Sequence, residues 1–352
     1  RTFPAYIGLD CLLRSRYSCW GDREYLRFPE PVVYPSDDSF DDRYFTLRRV
    51  PFRDDVGSGE SWGFCLFFRR RLRQKVDLYD HQPLMTCEVC SRSDLLFEDT
   101  PHCIELSNRE WSESEGRNTV FHNFVVLQPF EEKKEPGQRT LIAFGGQYPG
   151  IWRLIANQPI MVRGSPPPAH NWRILPQVEV SRFHAGCIDL MAGWESACVE
   201  SGKTRKCRYP FCGCEFDGRL SVVHFQGKVL LYARANVKPQ GGGRFVQVSF
   251  GTPSPSRPTL HVPNYTWRPF HLIHILGYEA HVGNIYTFAV HVNPADPETL
   301  LAVFPVVDES QNRSSIAISV SVDGFLWSPV VDLLISRPFG ARTMELPVDG
   351  IM

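Results

Sequence analysis

Strictly alternating apolar positions, an excess of turn residues and a repeat of about 65 residues together predict an all-β chain with the arithmetic of a five-bladed β-propeller. The alternation is plainest in Ile316–Val322, where Ile316, Ile318, Val320 and Val322 point one way and Ala317, Ser319 and Ser321 the other. Arg244–Phe250 repeats it with Val246, Val248 and Phe250, and Ile285–Val292 with Tyr286, Phe288, Val290 and Val292. Such patterns read as half-buried antiparallel strands. The 26 Gly and 28 Pro belong mostly in turns, which favours many short strands over a few long helices.

The repeat is set by similar strand groups. One begins at Asp217-Gly-Arg219 and continues through Lys228–Asn236 and Arg244–Phe250. The next begins at Asn284 and continues through Thr299–Phe304 and Ser315–Val322; a third start falls at Asp349-Gly350. Asp217 to Asn284 is 67 residues and Asn284 to Asp349 is 65. An earlier group runs through Phe121–Leu127, Thr140–Phe144 and Ile151–Ile155, and its longer spacing points to a Pro- and Cys-rich insertion at about 165–214. Residues 1–118 form a Cys-containing N-terminal section, and residues 119–352 carry the blades. A β-sandwich pair is the alternative, but it requires no regular period.

Charge and cysteine content bound the setting. Lys and Arg total 38 against 39 Asp and Glu, a near-neutral balance that argues against a dedicated nucleic-acid binder. The apolar stretch Leu300–Val307 is broken by Pro305 and too short to span a bilayer. Residue 1 is Arg, so an initiator Met and any signal peptide are expected to lie outside this sequence. All 11 cysteines lie at or before Cys214. Cys87-Glu-Val-Cys90 with Cys207, Cys212 and Cys214 could ligate zinc, but the halves are far apart and no His follows at finger spacing. Disulfides in an oxidising compartment explain scattered cysteines more simply, and the sequons at Asn264 and Asn312 agree with a secreted or lumenal glycoprotein. No metal or other cofactor is expected.

Ser321-Val-Asp-Gly-Phe-Leu-Trp327 resembles the Ser-x-Asp-Gly-x-x-Trp hairpin that recurs in five-bladed propeller glycoside hydrolases, the arabinanase/xylosidase and invertase/levansucrase clans. Asp323-Gly324 suits a type I′ turn, and Trp327 can pack back over the sheet, so the motif is structural. Tyr265–Phe270 looks like a degenerate copy, and Phe144–Gln147 and Leu231–Asn236 look like second-strand segments of such blades. The resemblance covers roughly residues 119–352. It implies that the N-terminal section could complete the blade begun at Asp349, because chain ends often meet in such rings.

The resemblance also implies carboxylates at the starts of innermost strands, converging on the central axis. Glycoside cleavage needs one protonated and one ionised carboxyl group. Asp217 and Asp349 open such strands, Glu215 lies two residues before Asp217, and Asp189 and Glu279 are further candidates. The acid would come from Glu215, Glu279 or Asp217, and the base or nucleophile from Asp349 or Asp189. Groups suited to sugar hydroxyls are His122, Asn123, Arg234, Asn236, His281 and Asn284. Against this, Asp217-Gly218 and Asp349-Gly350 are turn dipeptides. The family usually follows its inner-strand Asp with Pro, and here Gly follows; His122-Asn123 offers no carboxylate at the matching spot. The rival is therefore a non-catalytic glycan-binding or scaffold propeller that uses the same axial pocket or its disulfide-braced surface for a partner, a glycan or another protein chain.

The remaining motifs read as structural. The basic run Phe67–Lys75 reads as a solvated strand end, and Asp37-Asp38 with Asp41-Asp42 lacks calcium-loop spacing. Gly241-Gly-Gly243 reads as a hairpin loop. No GxSxG elbow, P-loop or HExxH occurs.

Overall fold

The computed structural model describes residues 43–54, 60–70, 85–91, 102–105, 123–127, 140–146, 151–157, 160–161, 170–179, 218–236, 244–255, 263–278, 284–308 and 313–335. Among the described residues the regular structure is all strand, and no helix is long and apolar enough to cross a membrane. The chain divides into two compact units. One is Val32–Arg182 with Ser254–Asn264; the other is Arg1–Pro31, Phe183–Pro253 and Tyr265–Met352.

The first unit holds two sheets. Sheet I is an antiparallel meander of β1 (Arg43–Asp54), β2 (Glu60–Arg70), β3 (Met85–Ser91) and β4 (His102–Glu105), ordered β4-β3-β2-β1. Sheet II runs β5 (Val125–Val126), β6 (Thr140–Gly146), β7 (Ile151–Asn157) and β9 (Arg173–Glu179), also antiparallel. Between β7 and β9 the short β8 (Ile160–Met161) pairs in parallel with the end of β1. Residues 173–179 were expected in the insertion but form the outer strand of sheet II. Pro176 falls where the β7–β9 register is interrupted between Leu154 and Trp152, and such a bulge tolerates a residue with no N–H to donate. The core between these sheets gathers Val50, Phe67, Phe124, Val126, Leu154 and Trp172. Phe124 meets Trp172 edge-on at 5.1 Å, and Arg48 of β1 donates through Nε to the Val126 carbonyl of β5 at 2.7 Å.

Cys65 and Cys90 face one another across the β2–β3 ladder and are joined as a disulfide, closing a 25-residue separation. Cys87 is also disulfide-bonded. The CxxC spacing therefore does not form a zinc half-site. Three residues along a strand reverse the side-chain direction, so Cys90 lies in one apolar cluster and Cys87 in another with Leu66 and Phe68.

The second unit also holds two sheets. Sheet III is β10 (Ser221–Phe225), β11 (Lys228–Asn236), β12 (Arg244–Pro253) and β13 (Tyr265–Trp267), with β14 (His271–Leu272) also on β12. Sheet IV contains β15 (His274–Ile275), β16 (Asn284–Ile285), β17 (Ala289–Val292), β18 (Leu300–Asp308), β19 (Arg313–Ser321), β20 (Leu326–Trp327) and β21 (Val331–Ile335). The expected second-strand segments, Phe144–Gly146 and Leu231–Asn236, are second strands of sheets II and III. Phe288 centres the shared core, with ring centroids 4.8 Å from Phe304, 5.0 Å from Trp327 and 5.8 Å from Tyr232. Each such pair contributes about 0.5–1.5 kcal/mol beyond area burial. Ser221 of β10 ties sheet III to β17 of sheet IV: its Oγ accepts the Val290 N–H at 2.9 Å and lies 3.4 Å from the Val290 carbonyl.

Three sequence expectations change here. The strands are buried on both faces rather than half-buried. In β19, Ala317 and Ser319 are as buried as Ile318 and Val320, and it is Val322, past the strand end, that is exposed. The alternating serines are buried because each finds a partner: Ser319 Oγ donates to the Ser328 carbonyl at 2.8 Å and Ser321 Oγ to the Leu326 carbonyl at 2.7 Å.

Asp323-Gly324 is not a type I′ turn, because only Gly324 has positive φ, at 79°. Asp323 acts through its side chain, with Oδ1 accepting the N–H groups of Phe325 and Leu326, each at 2.8 Å. This is the local bonding that suits Asp to turns. The type I′ geometry occurs at Gln226-Gly227, with φ of 48° and 72°, linking β10 to β11.

Finally, Ile285–Val292 is not one strand. Ile285 pairs with Val306 and Ala289 with Val303, so four steps on one side face three on the other, and Tyr286–Phe288 leave the ladder. That is a β-bulge, a feature that re-aims side chains.

Candidate functional site

In the second unit the bulge adjoins a small cleft of about 10 Å³, room for about one water molecule, lined by Arg219, Arg234, Phe245, Tyr286, Thr287 and Phe288 among others. It lies at the end of sheet III where the chain enters β10, where β11 finishes and where β12 begins. Arg219 precedes β10 and is 4% exposed; Arg234 is the third residue from the end of β11 and is 7% exposed. Both are buried beyond nine-tenths and line the same cleft. The Tyr286 ring carries two guanidinium groups, with Arg234 Cζ 5.6 Å and Arg244 Cζ 5.3 Å from its centroid. Gln247 holds the end of β11 by donating from Nε2 to the Arg234 carbonyl at 3.0 Å.

Gly218 lies beside Arg234, and its backbone conformation is what calls for glycine. A Cβ at position 218 would lie 3.4 Å from Arg234 Cδ and 3.5 Å from its Nη1, and the backbone there has φ of +109°. This φ also ends the simple alternation, so the facing of residues before Gly218 does not follow by counting from β10.

Of the sequence candidates, Arg234 lines the cleft, and Asn284 is buried at the start of β16, next to the lining residue Ile285. Asn236 ends β11 opposite Arg244 in the backbone register; its side chain lies outside the described residues. Asn123 belongs to the first unit, is buried, and donates from Nδ2 to the Gly146 carbonyl at 2.9 Å. Asp189, Glu215, Asp217, Glu279, Asp349, His122 and His281 lie outside the described residues. So does Asn312 of one sequon, whereas Asn264 of the other accepts a hydrogen bond from Arg153 Nη2 at 2.9 Å.

Sequence reading missed Arg219, Arg244, Tyr286 and Thr287 as lining or flanking groups. For Arg219 the available signal was a charged residue immediately before the apolar run Leu220–Phe225. Tyr286 gave none, because alternation assigned it to an unbroken strand.

The first unit holds a different polar cluster. Glu88, 4% exposed, accepts from the His170 backbone N–H, contacts His170 Nδ1 at 3.2 Å and accepts from Trp172 Nε1 at 3.3 Å. A ligand atom of His170 and the sulfurs of Cys65 and Cys90 lie within 4.8 Å of one another. Joined as a disulfide, these sulfurs are not the thiolates that bind a metal.

No family model matches the chain, and no curated protein matches it. Among solved structures it is similar to an α-L-arabinanase of Penicillium chrysogenum complexed with arabinobiose, at 9% identity and a TM-score of 0.39. The match covers 79% of this chain, which spans 62% of that one.

Proposed function

We propose that the chain is a carbohydrate-active, five-bladed propeller that cleaves a poly- or oligosaccharide at the Arg219–Arg234–Tyr286 cleft. The observation that carries this reading is the bulge. It takes Tyr286 and Thr287 out of the innermost ladder of sheet IV and sets an aromatic face and a hydroxyl beside two buried guanidiniums. An aromatic ring beside a few convergent polar groups is the chemistry of a small polar-ligand site. The site lies where the chain enters β10, and Asp217 and Glu215 precede Arg219 by two and four residues. One of them, or Glu279, would protonate the glycosidic oxygen while Asp349 or Asp189 acts as base or nucleophile.

Four separate antiparallel meanders support the propeller reading, as does the closed Ser321–Trp327 turn. In it residues 1–118 supply one blade and complete the ring, residues 119–352 supply the others, and an insertion precedes β10. The disulfide at Cys65–Cys90 fits a secreted or lumenal protein.

A second reading, a glycan-binding or scaffold propeller without catalysis, is favoured by one observation: among the described residues no carboxylate lines the cleft. Release of reducing ends from a panel of polysaccharides, with Asp217→Asn and Asp349→Asn as controls, separates the two. Turnover lost in either variant supports the hydrolase. Saturable binding without turnover supports the binding module, and neither binding nor turnover removes the carbohydrate reading.

A further inference from the structure

We propose that Asp323-Gly324 is a latent modification site, an isoaspartate-forming dipeptide that the fold keeps unreacted through the Ser321 hydroxyl. The inference is independent of what the cleft binds. An Asp followed by Gly is reactive because no Cβ keeps the glycine nitrogen away from the carboxyl carbon. The Gly324 nitrogen attacks Asp323 Cγ, an N–C bond forms, and the amide proton leaves with the carboxyl hydroxyl as water. Water then opens the cyclic imide at either carbonyl. One opening restores Asp; the other leaves the main chain running through the Asp323 side chain. The net change is an isomerisation and consumes no co-reactant.

Both reacting groups are held apart in the turn. Asp323 is exposed, whereas Ser321 and Gly324 are buried. The Gly324 N–H donates to Ser321 Oγ at 2.8 Å, so the proton that the nitrogen must give up is engaged in a buried hydrogen bond. The Ser321 hydroxyl can accept there while donating to the Leu326 carbonyl at 2.7 Å. The carboxyl group is pinned as well, because Oδ1 accepts the Phe325 and Leu326 N–H groups that lie beyond Gly324. On its other side Gly324 is fixed by its carbonyl, which accepts from Tyr232 Oη at 2.9 Å. Isomerisation would insert a methylene into the main chain and move the carboxylate onto the α carbon, so this set of bonds could not re-form. A chain held unfolded would acquire a mark that folded chains lack, and the marked chain could not rebuild the turn.

The test incubates the full chain at neutral pH, native and in urea, and measures isoaspartate at position 323 by peptide mapping with electron-transfer fragmentation. Asp217-Gly218 and Asp349-Gly350 are the same dipeptide and are scored separately. Position 323 is expected to isomerise at least about tenfold more slowly in the native chain, the scale of two hydrogen bonds broken before reaction. Native Ser321→Ala should react about fivefold faster than the native parent, the scale of one such bond. Tyr232→Phe loosens the same turn but keeps the bond to the Gly324 nitrogen, and should stay within about twofold of the parent. Equal rates in native and unfolded parent, or no isoaspartate at 323 in urea, overturn the inference. A Ser321→Ala rate equal to that of the parent, or matched by Tyr232→Phe, overturns the role of Ser321. Should Ser321→Ala fail to fold, the comparison of native with unfolded parent still decides whether the fold protects the site.

Discussion

Tyr232 Oη donates to the carbonyl of Gly324 at 2.9 Å, fastening the second strand of sheet III to the turn that closes β19. The same carbonyl lies 3.3 Å from Trp327 Nε1, and Trp327 is fully buried with its ring edge-on to Tyr232 at 6.0 Å. The Ser-x-Asp-Gly-x-x-Trp segment is thus a staple between two sheets of one unit.

Gly324→Ala should break that staple. The position has φ of +79°, and a Cβ there would collide with Leu230 Cδ2 and stand 2.8 Å from Tyr232 Oη. Backbone strain and overpacking add, so the expected cost is about 3 kcal/mol or more. Asp323→Ala, which removes the acceptor for two backbone N–H groups, should cost about 1–2 kcal/mol. Urea unfolding followed by tryptophan fluorescence checks both; a Gly324→Ala chain as stable as the parent would refute the packing argument.

Tyr232 should make the unit lose stability in alkali. Burial pushes its phenol well above its ordinary value, with the negative Asp323 adding to the effect. A group whose folded pKa is raised keeps its proton in the native state after the unfolded chain has released its own. Its contribution is therefore complete below the unfolded value of about 10 and is lost as pH rises through the folded value. Comparing urea midpoints of wild type and Tyr232→Phe from pH 8 to 11 isolates it. The Phe variant should be less stable by about 1 kcal/mol at pH 8, for the lost hydrogen bond. The gap should close or reverse by pH 11, and a constant gap would count against the argument.

The strands were legible because alternation and turn residues are local signals: β10–β12, β18 and β19 lie where the pattern put them. The site was less legible for a physical reason. A bulge adds one residue to a ladder without changing the apolar pattern, so Tyr286 reads as an ordinary strand residue. Arg234 was found because the resemblance placed polar groups suited to sugar hydroxyls on Leu231–Asn236, whereas Arg219 and Arg244 stand at strand ends where charges are common. Buried serines in β19 misled in the other direction, since alternation reports polarity and not exposure.

Glu88 should be the most sensitive polar position of the first unit. It sits in β3 and is 4% exposed, and its two oxygens serve the His170 backbone, the His170 ring and the Trp172 indole. Glu88→Ala removes a buried carboxylate that three polar groups meet, an expected loss of about 3 kcal/mol. Glu88→Gln keeps one acceptor oxygen and should lose roughly half as much. Trp172 packs on Phe67 at 6.0 Å and Phe124 at 5.1 Å, so its emission reports the same unfolding. Equal stability of the Gln and Ala variants would show that the remaining acceptor does not matter.

Gly218→Ala separates the site from the core around it. Strain at φ +109° should cost about 1–3 kcal/mol, which the unit can absorb if its cores are otherwise intact. The added methyl would meet Arg234 at Cδ, Cβ and Nη1, all between 3.4 and 3.5 Å, which is ordinary van der Waals contact and leaves the guanidinium in place. Gly218→Ala should therefore lose stability and keep its ligand affinity. Arg234→Met removes the charged group, and its affinity should fall by roughly tenfold, the scale of one charge-assisted hydrogen bond. Loss of affinity in Arg234→Met alone would place Arg234 in the binding site; an Arg234→Met chain that binds as the parent does would show that the ligand does not depend on Arg234.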